Sequence, residues 1–67
     1  MTGRIIRLVD HEQIGAISAE DGADYVFHAS ALSHGTFKDL VLGTPVSFEP
    51  IISQATRRAT LVRVLRK

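Results

Sequence analysis

The apolar residues of this chain occur in short segments, separated by turn-forming residues about every ten positions. This spacing leaves no stretch long enough for a useful amphipathic helix, and it favours short strands. We predict five strands, at residues 3–9, 14–17, 25–28, 46–49 and 59–65. Five strands of this kind predict an all-β barrel or sandwich, and a closed barrel removes the strand edges that promote aggregation.

Glycine, proline and serine predict where these strands bend or stop. Gly15 lies inside the second strand and predicts a bulge or a close approach of the backbone to another group. The Asp21-Gly22 pair is typical of a turn with positive φ. Ser30 is predicted to cap a single helical turn, and Pro50 to end the fourth strand or place it on an edge. The longer loops are predicted at residues 33–43 and 53–58.

Length and composition limit the class of protein. Sixty-seven residues fit a single domain, residues 1–67. There is no Cys, which excludes disulfides and thiolate zinc sites. No apolar run approaches the ~18 residues of a membrane span, and the first residues lead into no secretory apolar region. We therefore expect a cytoplasmic protein that makes no membrane contact.

The sequence contains no motif of enzymatic catalysis. A nucleophile motif, a glycine-rich phosphate loop and the HExxH pattern are all missing. His11 and His34 have no partner at metal-ligand spacing, and Ser30 is expected to be a cap and not a nucleophile. We therefore expect no catalytic residues, no metal and no cofactor.

Charge is distributed unevenly along the chain. Residues 1–49 carry three basic and seven acidic groups, a net charge of −4, whereas residues 50–67 carry five basic groups and no acid, a net charge of +5. Six of the eight basic residues are Arg, which binds phosphate and carboxylate in a bidentate fork. The basic segment could attract phosphates, or it could be a solvated strand and tail that keep a small protein soluble.

One family shares the order of residues along nearly the whole chain. The matching positions include Gly3-x-Ile5, Gly15-x-Ile17, Asp21-Gly22, Ala59-x-x-Val62 and, most specifically, the run HASALSHGTFKDLVLGTPVSFE. This pattern resembles the bacterial cold-shock domain. The resemblance implies a five-stranded antiparallel barrel of the oligonucleotide-binding (OB) fold, and a partner that is single-stranded RNA or DNA.

The chain departs from the family where the family stacks bases on exposed rings. The first ribonucleoprotein motif, Lys-Gly-Phe-Gly-Phe-Ile in the family, is here Glu12-Gln13-Ile14-Gly15-Ala16-Ile17. In the second motif, the two outward Phe positions are Val26 and Ala29, and the first-strand Lys-Trp pair is Ile6-Arg7. Only His28 and the loop residue Phe37, with Lys38 beside it, remain from the usual binding set.

The direction of the third strand's side chains follows from His28. Neighbouring residues in a strand face opposite sides of the sheet. If His28 faces outward as in the family, Val26 is outward too, and Tyr25 and Phe27 point into the core. A one-residue slip would reverse this arrangement.

These substitutions leave two hypotheses for function. The first is weak binding of single-stranded nucleic acid through Arg7, His28, Phe37, Lys38, Arg57 and Arg58, where the Phe37 ring could instead cover the end of the barrel. The second is a protein contact, either a homodimer or another partner, through the aliphatic face that replaces the rings. The residues of that face are Ile6, Ile14, Ala16, Val26 and Ala29.

Overall fold

The computed structural model describes residues 1–33, 37–53 and 56–65 as a closed five-stranded barrel. The sheet order is β1-β2-β3-β5-β4, an OB-fold-like arrangement, and this confirms the all-β class and the five predicted strands. The strands are β1 Thr2–Val9, β2 Ile14–Ala19, β3 Asp24–His28, β4 Pro45–Ile52 and β5 Arg57–Val64.

One strand pair corrects the expectation of a purely antiparallel barrel. Four strand pairs are antiparallel, namely β1–β2, β2–β3, β1–β4 and β4–β5, but β3 meets β5 in parallel through Val26 and Arg58. At this contact β3 and β5 run in the same direction, and the contact is one of those that close the barrel. The sheet is therefore mixed, and its β3–β5 seam is held by one bridge between the two named strands.

The core contains every aromatic side chain of the protein. Tyr25 packs on Phe48 with ring centroids 5.1 Å apart, and Phe27 packs on Phe37 at 6.1 Å. Within β3, Tyr25 and Phe27 are buried while Val26 and His28 are exposed, so the orientation predicted from His28 is confirmed. The other buried hydrophobic residues are Ile5, Ile17, Ala19, Leu40, Val46, Ala59 and Val62.

Gly15 lies where the second strand crosses the Phe27 ring. A Cβ atom at this position would lie 2.6 Å from two carbons of that ring, so only glycine fits without a shift. This confirms the predicted close approach. The turn before β3 also has the predicted backbone, with Gly22 at a φ of +87°.

The short turn after β3 is capped differently from the prediction. It is a 3₁₀ turn, Ala29–Ala31, and Ser30 lies within it. The cap is His28, whose Nδ1 accepts a hydrogen bond from the Ser30 backbone N–H at 3.2 Å. Ser30 was the wrong residue because the extended backbone that a cap requires belongs to His28.

Strand β4 continues through Pro50, where the sequence predicted an end or an edge. Among the described residues, β1 pairs with β4 only as far as Ser47, so the later part of β4 has β5 as its one strand partner and Pro50 lies on an edge, which was one of the two predicted alternatives. The Phe48 backbone N–H donates to the Met1 carbonyl oxygen, on the side of β4 away from β5. Because backbone groups alternate along a strand, the backbone nitrogen of Pro50 lies on the same side. A proline is tolerated there because its missing N–H is not needed by β5.

Strand β5 begins earlier than predicted and contains a bulge. Arg57 and Arg58 belong to the strand and not to the hairpin loop, which corrects their predicted position. Ser47 pairs with Arg63 and Glu49 with Thr60, so β5 has one residue more than β4 in this stretch. Leu61 lies in this bulge and has a φ of +52°.

Candidate nucleic-acid interface

The outward face of the sheet carries a row of four residues, one from each of four neighbouring strands. Strand register pairs Arg7 with Ala16, Ala16 with Val26, and Val26 with Arg58. We call these four residues the arginine row. Three inter-strand spacings separate its ends, a path of about 14 Å along the curved sheet.

A bulge in β1 presents Arg7 to solvent. The register against β2 shifts between Ile5 and Arg7, so Ile6 is an extra residue in β1. Ile6 and Arg7 are consecutive, yet both are exposed. The bulge therefore directs an aliphatic side chain and a guanidinium group outward at the same end of the row.

The two arginines of the row are free to meet a ligand. In the part of the chain that the structure describes, the guanidinium groups of Arg7 and Arg58 form no hydrogen bond or ion pair. Between them lie Ala16, which is half-buried, and Val26, which is 49% exposed. The row is thus an apolar floor with a positive charge at each end.

His28 lies beside the row, opposite Ile14 on β2. Its ring is exposed, and Nδ1 is within 3.2 Å of both the backbone nitrogen and the Oγ of Ser30. A ring nitrogen that accepts from a backbone N–H carries no proton, so the neutral ring has its proton on Nε2. His28 therefore presents a hydrogen-bond donor to solvent.

Phe37 and Lys38 lie apart from this group. Phe37 is 4% exposed and packs against Phe27, so it closes the core and offers no ring to a base. The expected stacking role of Phe37 is corrected to the alternative, a cover for the barrel. Lys38 is exposed, but it lines a depression with His11 and Asp10 at the β1–β2 turn. Neither side chain lies on the surface formed by Arg58 and Val26.

Arg57 is partly committed to an acidic neighbour. The carboxylate of Asp21 accepts hydrogen bonds from the Ala23 N–H at 2.9 Å and the Tyr25 hydroxyl at 2.8 Å. These two bonds are the main causes that hold the pKa of Asp21 below its usual value against the opposing effect of burial, and the charge of Arg57 adds a smaller effect in the same direction as the bonds. Part of the positive charge of Arg57 is thus offset by Asp21.

The predicted aliphatic face is only partly available. Ile6 and Val26 are exposed, whereas Ile14, Ala16 and Ala29 are half-buried. The structure adds Ile51, which is 50% exposed and pairs with Arg58 from the β4 side. Sequence reasoning missed Ile51 because the predicted strand stopped at residue 49, before Pro50, although β-branched residues directly after Pro50 were the available signal.

Two adjacent depressions lie along the seam between β3 and β5, and we call them together the seam groove. Its half near the β4–β5 hairpin has a volume of about 640 Å³, and its half near His28 about 430 Å³. Val26 and Arg58 line both halves, so the arginine row ends at the middle of the groove.

Two other kinds of site find no support among the described residues. Residues 1–33, 37–53 and 56–65 contain no group of three His, Asp or Glu side chains placed to hold a metal ion. In the same part of the chain, no helix has the length and hydropathy to cross a lipid bilayer.

Comparison with known proteins assigns no family. No family model matches the sequence, and no curated protein matches it significantly. The resemblance to cold-shock domains therefore stays a prediction, and function must be inferred from the side chains themselves.

Proposed function

We propose that this chain is a cold-shock-like module that binds single-stranded RNA or DNA weakly and with little sequence preference. The supporting observation is the arginine row, in which unpaired Arg7 and Arg58 flank an apolar floor on an exposed sheet. A guanidinium group pairs with phosphate and also stacks on bases, so it serves both parts of a nucleotide. The proposal includes a cytoplasmic location and no catalytic step.

Burial of the rings argues for low affinity. Stacking on aromatic side chains contributes roughly 1–3 kcal/mol per base. A surface without about five such rings gives up on the order of 5 kcal/mol, which is more than about a thousandfold in affinity. Electrostatic contacts then dominate, and each contacted phosphate adds about −0.7 to the slope of log affinity against log salt concentration.

Fluorescence anisotropy with labelled oligo-dT and oligo-rU at several salt concentrations tests the proposal. We expect binding at low salt that weakens steeply as salt is added. Arg7→Ala and Arg58→Ala should each weaken binding roughly tenfold and make the salt slope shallower, because each removes a charged contact. Arg63→Ala is the matched control, since Arg63 has the same charge but lies away from the row beside Met1 and Phe48.

Two results would contradict the proposal. One is the lack of any binding by the wild-type protein at low salt. The other is an equal loss of affinity in all three arginine variants, which would indicate attraction by net charge alone and no role for the arginine row.

A second candidate function is contact with another protein chain, including a second copy of this one. The observation that favours it is the pair of half-exposed aliphatic side chains on either side of Arg58, Val26 from β3 and Ile51 from β4. Exposed aliphatic side chains with an Arg among them are typical of protein–protein interfaces, where Arg is enriched.

A further inference from the structure

We propose that the seam groove takes one unpaired nucleobase by its edge, with the adjoining phosphate on Arg58. The inference rests on the proposed function and adds the position and the manner in which a base is held. Insertion of a base between two strands would replace stacking on exposed rings, because the aromatic rings of this chain pack against one another in the core.

The groove exists because the β3–β5 seam is only loosely paired. The named strands meet at Val26 and Arg58, and the next contact along β5 is an isolated bridge between Leu32 and Val62. Thr60 lies between these two points and lines the groove. The gap between the bridges opens the barrel wall at this place.

The walls of the groove suit the faces of a base. Three aliphatic side chains line the half near His28, namely Ile14 from β2, Val26 from β3 and Ile51 from β4. Phe27, which is buried in the core, also lines the groove. At about 430 Å³, the half near His28 has the size of a small-molecule site.

Charge in the groove favours a nucleotide over a neutral apolar ligand. Arg58 lines both halves, and Arg57 lines the hairpin half together with one acid, Asp24. No acidic side chain among the described residues lines the half near His28. A phosphate beside Arg58 would leave its base directed into that acid-free half.

His28 provides a fixed polar contact for the base. Its cap to the Ser30 N–H occupies Nδ1, so the neutral ring directs the Nε2 proton away from the cap. His28 also lines the groove. An acceptor atom on the edge of a base can take this donor, which gives the apolar slot one oriented hydrogen bond.

The same geometry selects single strands. A base that is paired and stacked in a duplex cannot enter a slot between two strands unless it is first extruded, which costs a few kcal/mol. An unpaired base enters without that cost. The seam groove therefore accounts for strand selectivity without any exposed aromatic residue.

An abasic strand separates base insertion from simple attraction of phosphate. We compare oligo-dT with an oligonucleotide of the same length and charge in which every base is absent. We expect the wild-type protein to bind oligo-dT at least about tenfold more tightly, the lower part of the range for holding one base.

Two variants of equal charge locate the effect. Ile51→Glu places a carboxylate in the groove, and Val41→Glu places one on a loop outside it; the two parent side chains are 50% and 63% exposed. We expect Ile51→Glu to remove the preference for oligo-dT over the abasic strand, and Val41→Glu to keep it. Thermal unfolding of both variants checks that each one folds.

Several results would overturn the inference. Equal affinity of the wild-type protein for the two strands would reject base insertion and leave the proposed function intact. A preference that survives in Ile51→Glu, or that is lost equally in Val41→Glu, would reject the seam groove as its position. No binding to either strand would reject both the function and the inference.

Discussion

At the scale of single residues, Tyr25 joins the core to the surface. Its ring is buried against Phe48, and its hydroxyl donates to the Asp21 carboxylate at the β2–β3 turn. This bond, followed by burial, raises the pKa of Tyr25, while the Ala23 N–H and the Tyr25 hydroxyl lower the pKa of Asp21. Both shifts stabilise the fold at neutral pH, and the effect of Asp21 is lost in acid whereas that of Tyr25 is lost in alkali.

We predict that Tyr25→Phe reduces the amount of unfolding free energy that the protein loses when the pH falls from neutral to acid. Because the folded state lowers the pKa of Asp21, its stabilising effect is present at neutral pH and is lost as the pH falls below about 4. Removing the hydroxyl should move the pKa of Asp21 up towards its usual value, although the Ala23 bond remains. NMR titration of the Asp21 carboxyl carbon, with thermal melts between pH 2 and pH 7, measures both effects.

A substitution of the other partner tests the same hydrogen bond at alkaline pH. Asp21→Asn should lower the pKa of Tyr25, because its largest cause, the bond to a charged acceptor, is weakened. The stability that the protein loses as Tyr25 ionises in alkali should then be smaller, because the folded-state pKa lies closer to that of the unfolded chain. Unchanged tyrosine absorbance titration in Asp21→Asn would contradict the assigned bond.

The orientation of β3 side chains followed from the sequence, but the roles of His28 and Phe37 did not. Alternation from one outward residue was enough to place Tyr25 and Phe27 in the core. Whether a loop ring such as Phe37 covers the barrel depends on the space left by distant residues. The His28 cap depends on backbone angles that no residue pattern fixes.

At the scale of elements, the bulge in β5 holds an exposed Leu61 in the left-handed region. That conformation costs a non-glycine residue about 1–2 kcal/mol, since the Cβ atom crowds the following carbonyl. The bulge shifts the β4–β5 register between Ser47 and Glu49 and so sets how β5 meets both of its neighbours.

We predict that Leu61→Gly raises the free energy of unfolding by up to about 1 kcal/mol, because relief of the strained φ exceeds the added freedom of the unfolded chain. Leu61→Val should lower it by about 1 kcal/mol, since a branched Cβ tolerates this φ poorly. Urea denaturation measures both. Arg63→Gly, at a strand position without positive φ, is the control and should be destabilising. A loss of stability in Leu61→Gly as large as in Arg63→Gly would show that Leu61 is not strained.

Strand number was predictable from the sequence, but strand ends and register were not. Turn residues separate the five apolar segments clearly, whereas Pro50 and Arg57 lie inside strands. Their positions depend on which side of β4 is paired and on where β5 closes the sheet. Both are contacts between residues far apart in the chain, so the arginine row could not be assembled from the sequence alone.

At the scale of the whole molecule, the two candidate functions use the same surface. Val26 belongs to the arginine row and to the aliphatic pair beside Arg58. A partner chain seated on that pair would cover the seam groove, so protein contact and nucleic-acid binding should exclude each other.

The second candidate function predicts that the average mass measured by light scattering rises with protein concentration. Val26→Asp should keep the protein monomeric, because a carboxylate at a half-exposed apolar contact must be desolvated. Leu42→Asp, at an exposed turn position outside the groove, is the control and should behave like the wild type. Added oligo-dT should lower the mass of the wild-type protein. A monomer at every concentration would remove this candidate and leave nucleic-acid binding unaffected.

The one-sided pairing of β4 also bears on how this protein behaves when crowded. Beyond Phe48, which bonds Met1, no strand among the described residues pairs with the side of β4 that faces away from β5, and a strand of another molecule could approach it. Pro50 interrupts the ladder of donors on that side, so a foreign strand docking there would lose a hydrogen bond in the middle of the stretch. Pro50, at which the sequence predicted an end or an edge of β4, thus disfavours aggregation by the successive addition of strands from other molecules.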